Sequence, residues 1–265
     1  MLDGLRKEFP EVSEADFSFL LCSLLQCSVA ELPFQETLSD DDLAILRKWL
    51  IRLQTGEPPQ YIVHKAWFYG LELYVDERVL IPRFDTEVLV QALLTYLNPS
   101  DTVLEIGVGS GAISIALKHN MPSLDIVATD IDPDALEVAR YNINKQNFDI
   151  HLERTDLYPL QQTKFRAILS NPPYISEIEY DALDDRVKQN EPIKALKAGA
   201  NGLEYYMRIL AKAPQYLCNE GILAFEHGYN QQSALLSLTE SAGFKTLQKG
   251  KDLAGLDRFL IVQYK

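Results

Sequence analysis

The sequence predicts a doubly wound α/β domain with a mostly parallel sheet, preceded by a small N-terminal helical domain and a β-hairpin linker. Beyond Pro99, short apolar segments alternate with segments of helical periodicity. The first 60 residues or so also have helical periodicity, and the period changes to two between Trp67 and Ile81. Because alternating strands and helices form right-handed βαβ units, we expect a parallel sheet covered on both faces.

The length of the chain supports two domains. At 265 residues it is near the upper limit for a single hydrophobic core. Hydrophobic residues make up 47% of the chain, which favours compact folding throughout. We therefore expect a helical domain over residues 1–62, a hairpin linker over 63–84 and the α/β domain over 85–265.

Two helices are predicted in the N-terminal domain. Residues 13–27 carry five apolar side chains at helical spacing. Ser39, followed by three aspartates, is typical of an N-cap with an acidic first turn, so the second helix is expected to begin there. Gly56, Pro58 and Pro59 end this helix, since glycine accepts a left-handed conformation and proline cannot continue a helix.

The linker is predicted to be a β-hairpin. Residues 67–81 alternate with a period of two and are rich in Tyr, Leu and Val. Asp76-Glu77 interrupts them and is the expected turn. After residues 82–84, a helix is expected to begin at Asp85 or the next residue.

The α/β domain follows from its alternating pattern. Its predicted strands are residues 102–106, 125–129, 150–154, 165–170, 221–225 and 258–262, and its predicted helices are residues 112–119, 133–144 and 203–217. Ligands of open α/β sheets bind beyond the carboxyl ends of the strands. The segments that follow these strands are therefore the candidates for a functional site.

Charge and composition exclude several classes of function. The formal net charge is −13, and no run of Lys and Arg could neutralise phosphates, which argues against DNA or RNA as a substrate. No apolar segment approaches the roughly 20 residues of a membrane span, and the N-terminus does not resemble a signal peptide. The 3 cysteines and 4 histidines lack metal-ligand spacing. We expect a cytoplasmic monomer without a metal ion. The acidic charge suits a basic protein partner or a cationic cofactor, and a role in solubility is an equally open interpretation.

A glycine-rich loop follows the first predicted strand of the α/β domain. It consists of Gly107, Val108, Gly109, Ser110 and Gly111. Glycines let a ligand approach the backbone and leave N–H groups available at the start of a helix. With the alanine that follows, the loop also satisfies the dinucleotide pattern Gly-x-Gly-x-x-Ala, so by itself it does not separate NAD from S-adenosylmethionine.

Two carboxylates at strand ends help to separate these cofactors. Asp130 ends the next strand, 19 residues after the last glycine, close to the spacing at which a carboxylate binds ribose hydroxyls. Glu105, just before the glycines, suits a cationic amino group better than a pyrophosphate, which favours S-adenosylmethionine. An exposed strand-end glutamate is the alternative. Asp132 is expected to cap the helix opened by Pro133.

The third strand of this domain ends at Asp156-Leu157, where an adenine ring would lie. The Asp156 carboxylate can accept a hydrogen bond from the exocyclic amine, and the Leu157 side chain can pack on the ring. A plain turn aspartate is an equally open interpretation.

The fourth strand runs directly into Asn171-Pro172-Pro173-Tyr174. Proline fixes φ near −65° and forces the residue before it to be extended, so the loop is stiff and its carbonyls point outward. An amide nitrogen is a poor nucleophile, and its two N–H bonds must be held so that its lone pair faces a methyl group. The Asn171 side-chain oxygen and the Pro172 carbonyl could accept those hydrogens, and the Tyr174 ring could stack on the planar amide. A rigid strand-ending turn without function is the alternative.

With these motifs, the chain resembles the PrmC/HemK family of release-factor glutamine methyltransferases over essentially its whole length. The family signature Pro-Arg-Pro-Asp/Glu-Thr-Glu stands here at residues 82–87, with Phe84 in place of the second proline. The resemblance implies a class I, Rossmann-like S-adenosylmethionine-dependent methyltransferase domain that releases S-adenosylhomocysteine. The implied substrate is the glutamine of the Gly-Gly-Gln loop in class 1 peptide-chain release factors, docked between the two domains.

Site residues are carried over from the family by position. The resemblance implies that residues 107–111, Asp130, Leu157 and Asn171 bind the cofactor, and that residues 171–174 hold the target glutamine. Leu80 occupies a hydrophobic position beside that glutamine in some relatives. Residues Glu191-Pro192, Gly199, Gly202 and Glu226-His227-Gly228 also match family features, and the sequence assigns them no chemistry.

Four rival interpretations stay open, of which a non-catalytic binding module would leave the glycine loop and residues 171–174 without a purpose. DNA adenine and ribosomal RNA guanine methyltransferases share the Asn-Pro-Pro-Tyr loop, but the net charge argues against them. A related enzyme that methylates a ribosomal-protein glutamine also shares the loop, but lacks the Thr86-Glu87 form of the signature. A nicotinamide-dependent oxidoreductase would use the glycine loop and Asp130 and give residues 171–174 no role.

Overall fold

The computed structural model describes residues 2–34 and 38–265. They form two compact units, one of residues 1–65 with 184–190 and the other of residues 66–183 with 191–265. The helices are α1 Leu2–Glu8, α2 Glu14–Leu25, α3 Asp40–Gln54, α4 Pro59–Val63, α5 Phe84–Leu94, α6 Ala112–Asn120, α7 Pro133–Lys145, α8 Glu177–Asp181, α9 Asp185–Asn190, α10 Glu204–Tyr216 and α11 Gln232–Ser241. The strands are β1 Ala66–Phe68, β2 Leu71–Leu73, β3 Thr102–Ile106, β4 Asp125–Asp130, β5 His151–Arg154, β6 Phe165–Ser170, β7 Leu217–Glu226, β8 Phe244–Lys251 and β9 Asp257–Tyr264.

The first unit is helical, as predicted. Helix α2 begins after Ser13, whose side chain accepts the Asp16 N–H. Helix α3 begins after Ser39, and Ser39 and Asp42 form a reciprocal capping box, which confirms the predicted N-cap. The apolar faces of these helices, together with α1 and α4, enclose one core cluster. Helix α4 was not predicted, because its Pro58-Pro59 start was interpreted only as the end of α3.

The second unit contains a seven-stranded sheet in the order β5-β4-β3-β6-β7-β9-β8. The first five strands are parallel, and β9 and β8 are antiparallel. Alternate residues of the strands face opposite sides, so Val103 packs in one core cluster and Leu104 in the other. The predicted doubly wound, mostly parallel fold is confirmed.

The predicted hairpin is present, but its turn was placed wrongly. Strands β1 and β2 pair antiparallel, and their turn is Tyr69-Gly70, with φ of 53° and 76°, instead of Asp76-Glu77. Two central residues with positive φ give a turn whose twist matches that of the two strands. The Asp76 carboxylate is buried and accepts hydrogen bonds from the Arg78 backbone and guanidinium, so it fixes an irregular loop with buried apolar residues. The buried apolar residues of this loop extend the period of two that the sequence shows between residues 67 and 81.

Several elements escaped prediction. Strand β8 lies at the edge of the sheet and carries lysines, which protect an edge from further pairing but weaken the apolar pattern of a strand. Helices α8 and α9 are only 5 and 6 residues long, too short for a clear helical period.

Candidate functional site

Two loops of the second unit begin side by side because their strands pair in register. In the parallel pair β3–β6, Ile106 lies opposite Ser170, and the Ser170 hydroxyl donates to the Ile106 carbonyl at 2.7 Å. The glycine loop therefore leaves the sheet directly beside the loop that begins at Asn171. On the other side of β3, the Gly107 N–H donates to the Thr129 carbonyl at 2.8 Å, which brings the end of β4 to the same place. This is the switch point in strand order, where open α/β sheets bind ligands.

A cavity of about 260 Å³ lies at this edge of the sheet. Of the predicted site residues, those that line it are Leu80, Glu105, Gly107, Val108, Gly109, Ser110, Asp130, Asp156, Leu157, Asn171, Pro172 and Pro173. Gly111 and Tyr174 are not among the lining residues. Twelve of the 14 predicted site residues, from five separate chain segments, therefore line one cavity.

The three glycines of the loop have two different roles. All three have positive φ. A Cβ added at Gly107 or Gly109 would meet nothing within 4 Å, so the backbone there is open to a ligand. A Cβ at Gly111 would lie 3.3 Å from Ile115 Cδ1 and 3.5 Å from the Ala139 Cα. Gly111 therefore allows α6 to pack closely, and it supports the site without lining it.

Glu105 is buried and is not the exposed strand-end glutamate of the alternative interpretation. Its Oε2 accepts the Ser114 N–H at 2.9 Å and the Ser114 hydroxyl, so it caps the first turn of α6. Burial raises the pKa of Glu105 to about 8, although the Ser114 hydrogen bonds act in the opposite direction. A buried carboxylate with this pKa gains its charge when a cation binds beside it.

Asp130 shapes the glycine loop. Its Oδ2 accepts the Gly109 N–H at 3.0 Å and its Oδ1 accepts the Asp132 N–H at 3.0 Å. Burial raises its pKa. Asp132 accepts the Asp134 N–H at 3.2 Å and caps α7, as predicted. It also forms an ion pair with Lys194, which lines the cavity and which no sequence signal had indicated.

The Asp156 end of the cavity holds a second basic residue that the sequence did not reveal. Arg208 Nη2 donates to Asp156 Oδ2 at 2.6 Å, and both residues line the cavity. Leu157 has a φ of 73°, and its carbonyl accepts the Thr129 hydroxyl at 2.7 Å. This bond holds the backbone in a conformation that is rare for leucine, which keeps the segment at the cavity wall.

The side chain of Asn171 is held by a residue of the family signature, residues 82–87. Its Nδ2 donates to the Thr86 hydroxyl at 3.4 Å, and Thr86 is buried. The neighbouring Glu87 accepts the Tyr69 N–H at 2.6 Å and fixes the hairpin turn. Arg83 forms an ion pair with the buried Glu191. The signature residues therefore position the site, a role that only the three-dimensional arrangement shows.

Tyr174 lies outside the cavity, so its predicted stacking on the substrate amide is not seen in this arrangement. Its ring packs against the second core cluster. Burial raises the pKa of its hydroxyl, which lies beside Glu226 and Arg258. Its carbonyl accepts Gln231 Nε2 at 2.8 Å. These contacts anchor the C-terminal end of the stiff loop.

Gly202 is one of the matched family positions, and the structure gives it a role. Its φ is 72°, and an added Cβ would overlap the Tyr174 carbonyl oxygen and the Gln231 amide. We expect Gly202→Ala to lower the free energy of unfolding by about 2 to 4 kcal/mol, because strain and overlap add. Gly255→Ala is the matched control, since its φ is 81° but nothing lies within 4 Å. It should cost only about 1 kcal/mol. Equal losses in urea unfolding would contradict the assigned contact.

Comparisons with known proteins identify relatives over most of the chain. The methyltransferase small domain matches residues 83–185, and the PrmC N-terminal domain matches residues 5–63. The chain is 38% identical to the release factor glutamine methyltransferase of Streptococcus pneumoniae, over 92% of this chain and 90% of that protein. It is 37% identical to the enzyme of the same name from Geobacter sulfurreducens, over 85% of this chain and 80% of that protein.

Solved structures share the fold. A methyltransferase from Pyrococcus furiosus aligns with a TM-score of 0.56 at 20% identity, over 73% of this chain and 89% of that chain. A ribosomal protein L11 methylase from Lactobacillus delbrueckii subsp. bulgaricus aligns with a TM-score of 0.53 at 21% identity, over 69% of this chain and 80% of that chain. At these identities the likeness supports the fold alone.

Two features are absent from residues 2–34 and 38–265. None of the helices described there has the length and apolar character needed to cross a membrane. Within the same described residues, no group of three or more His, Cys, Asp or Glu side chains is arranged to hold a metal ion.

Proposed function

This chain belongs to the family of release factor glutamine methyltransferases, and we propose on that basis that it methylates the glutamine of the Gly-Gly-Gln motif in class 1 peptide-chain release factors. The methyl donor is S-adenosylmethionine and the acceptor is the side-chain amide nitrogen. The observation that supports this most is the in-register pairing of Ile106 with Ser170, because it brings the glycine loop and the Asn171 loop to one cavity.

The lining of the cavity fits S-adenosylmethionine. The open backbone at Gly107 and Gly109 admits a ligand, and the buried Glu105 carboxylate suits its cationic amino group. Asp130 would bind the ribose hydroxyls, while Asp156 and Leu157 would contact the adenine. When bound, the cofactor supplies a methyl group on a positively charged sulfur.

Holding the acceptor amide is the task of the protein. The Asn171 side-chain oxygen and the Pro172 carbonyl would each accept one N–H of the substrate glutamine, and Pro173 and Leu80 would pack beside it. With both hydrogens held, the nitrogen lone pair can face the methyl group. Positioning reacting atoms at about 3 to 3.5 Å supplies most of the rate in such transfers, and no nucleophilic side chain is needed.

Tyr174 contributes to this scheme by anchoring the loop through its partly buried ring, which packs against the core, and through its hydroxyl. Its predicted stacking on the substrate amide stays a prediction for the complex. The predicted domain boundaries and the role of residues 1–62 in binding the release factor also stay predictions. The net charge of −13 supports a basic protein surface as the partner.

The function is tested by mass spectrometry of purified release factors after incubation with this protein and S-adenosylmethionine. We expect a gain of one methyl group on the Gly-Gly-Gln peptide. Ribosomal proteins, ribosomal RNA and DNA are incubated in parallel. A methyl group on one of these and none on the release factor would overturn the proposal.

A further inference from the structure

A chain of buried polar groups connects Asn171 to a carboxylate outside the cavity. Asn171 Nδ2 donates to the Thr86 hydroxyl at 3.4 Å, and the same hydroxyl lies beside the Glu226 carboxylate, whose pKa it lowers. Glu226 ends β7 and is 1% exposed, and Thr86 is 4% exposed. Glu226 is not among the residues that line the cavity, so it does not contact a ligand there.

The direction of these hydrogen bonds depends on the charge of Glu226. A carboxylate can only accept hydrogen bonds, so an ionised Glu226 would accept one that the Thr86 hydroxyl donates. The Thr86 oxygen is then free to accept from Asn171 Nδ2. Because an amide carries its oxygen and nitrogen on opposite sides, this leaves Asn171 Oδ1 as the atom available to accept an N–H of the substrate.

A protonated Glu226 would remove this bias. It could donate to the Thr86 oxygen, and the Thr86 hydroxyl could then rotate to donate to Asn171 Oδ1. The amide of Asn171 would turn, and its NH₂ group would face the substrate amide. Two facing NH₂ groups cannot form a hydrogen bond, so the amide nitrogen of the substrate glutamine would lose one of the two hydrogen bonds that orient it.

We propose that Glu226 is a positioning residue for methyl transfer: through Thr86, its carboxylate keeps the amide oxygen of Asn171 turned toward the substrate glutamine. The inference rests on the proposed function for its catalytic consequence. The orientation of the Asn171 amide can be measured without any substrate.

The surroundings of Glu226 raise the pKa of its carboxyl group to near neutral pH. Burial raises its pKa to about 7, and Asp85 on α5 adds to this, while Thr86, Tyr174 and Arg258 on β9 oppose it. From α10, the Tyr206 hydroxyl donates to the Glu226 backbone carbonyl at 2.9 Å.

Three other titratable groups near Glu226 do not change their protonation state near neutral pH. Burial raises the pKa of both Tyr174 and Tyr206, which therefore stay neutral. Burial lowers the pKa of the adjacent His227, which keeps that ring neutral as well. Within the described residues, the Oε2 atom of Glu226 has no hydrogen-bond partner, which leaves room for a proton there.

The first test follows methyl transfer to a release factor as a function of pH. In the wild type, kcat should fall about tenfold for each pH unit below about 7. In Glu226→Gln this decrease should disappear, because glutamine does not titrate. An acid limb that persists unchanged in Glu226→Gln would overturn the inference, since Glu105, with a pKa of about 8, would then be the titrating group.

The second test removes the link between Glu226 and Asn171. Thr86→Val should lower kcat by about 10- to 100-fold with KM for the release factor and affinity for S-adenosylhomocysteine within about threefold. Thr86→Ser keeps the hydroxyl and should restore most of the rate. The double variant with Glu226→Gln should be no slower than Thr86→Val alone, because both act through one chain of hydrogen bonds. Additive losses would contradict the relay.

A matched control makes the same substitution at another buried hydroxyl. Thr239 on α11 is fully buried and donates to the Leu236 carbonyl. Thr239→Val should lower thermal stability without changing kcat. An equal loss of kcat in Thr239→Val would mean that the effect of Thr86→Val is only structural.

A third test uses NMR to follow the side-chain amide resonances of Asn171 in protein without substrate. These resonances are assigned by their absence from the spectrum of Asn171→Ala. They should shift with a midpoint near pH 7 in the wild type, and this titration should be absent in Glu226→Gln. Resonances that do not titrate in the wild type would overturn the inference even if release factors are methylated. A titration found without methylation of release factors would overturn the proposed function and leave the relay standing.

Discussion

Asn171→Ala is expected to lower kcat for methylation of a release factor by about 1,000-fold while affinity for S-adenosylhomocysteine stays within a few fold. The side-chain oxygen of Asn171 is one of two acceptors proposed to hold the substrate amide, and the loss of one positioned hydrogen-bonding group, such as an oxyanion-hole donor, costs about 10²- to 10³-fold in kcat. The remaining acceptor, the Pro172 carbonyl, cannot orient the nitrogen alone.

The controls separate this effect from damage to the fold. Asn171→Asp keeps the shape and an acceptor oxygen but removes the NH₂ group that donates to Thr86, so kcat should fall by about 10- to 100-fold, as in Thr86→Val. Asn230→Ala removes an exposed amide that donates to Glu179 and should leave kcat unchanged. Single-turnover kinetics with each variant at saturating cofactor gives the comparison. Activity of Asn171→Ala within about tenfold of wild type would refute the assigned role.

Glu105→Gln is expected to weaken binding of S-adenosylmethionine by about 10- to 100-fold at pH 8. The Glu105 carboxylate has a pKa of about 8 because it is buried, so it is mostly protonated at lower pH. A cationic group beside it favours the ionised form, and binding therefore releases a proton. Affinity of the wild type should rise by up to about tenfold per pH unit between pH 6 and 7.5, and affinity of Glu105→Gln should be nearly constant there. Isothermal titration calorimetry in buffers of different ionisation enthalpy measures both.

Stability provides the control for this variant. A carboxyl whose folded pKa is raised from 4.5 to about 8 binds more protons in the folded than in the unfolded state between these values. The free energy of unfolding should therefore fall as pH rises through this range. Glu105→Gln should show a shallower fall and be no less stable than wild type at pH 8, since glutamine can still accept the Ser114 N–H. Equal pH dependence of cofactor affinity in both proteins would argue against Glu105 as the cation ligand.

The parts of this site that the sequence predicted are those set by one strand and the loop after it. Gly107 and Asn171 follow strands with a clear apolar pattern and Asp130 ends one, and a parallel sheet brings such strand ends to one edge. The same rule placed Leu157 correctly at the cavity wall. Local sequence patterns were sufficient for these residues because the parallel sheet itself brings the strand ends together at one edge.

What escaped prediction depends on contacts between distant segments. The hydrogen bond between Arg208 and Asp156 joins residues 52 positions apart in the sequence, and the one between Asn171 and Thr86 joins residues 85 positions apart. Neither contact leaves a signal in spacing or periodicity. The Tyr174 ring was predicted to stack on the substrate amide, and in this structure it packs against the core next to α10. A position within a motif does not fix the direction of a side chain.

A crystal structure with S-adenosylhomocysteine and a release-factor peptide containing Gly-Gly-Gln tests the central claim most directly. We predict that the glutamine Nε2 lies within about 3.2 Å of both Asn171 Oδ1 and the Pro172 carbonyl oxygen. The product would occupy the cavity over Gly107 and Gly109, with its amino group beside Glu105. A glutamine bound elsewhere, or an Asn171 side chain directed out of the cavity, would contradict the account.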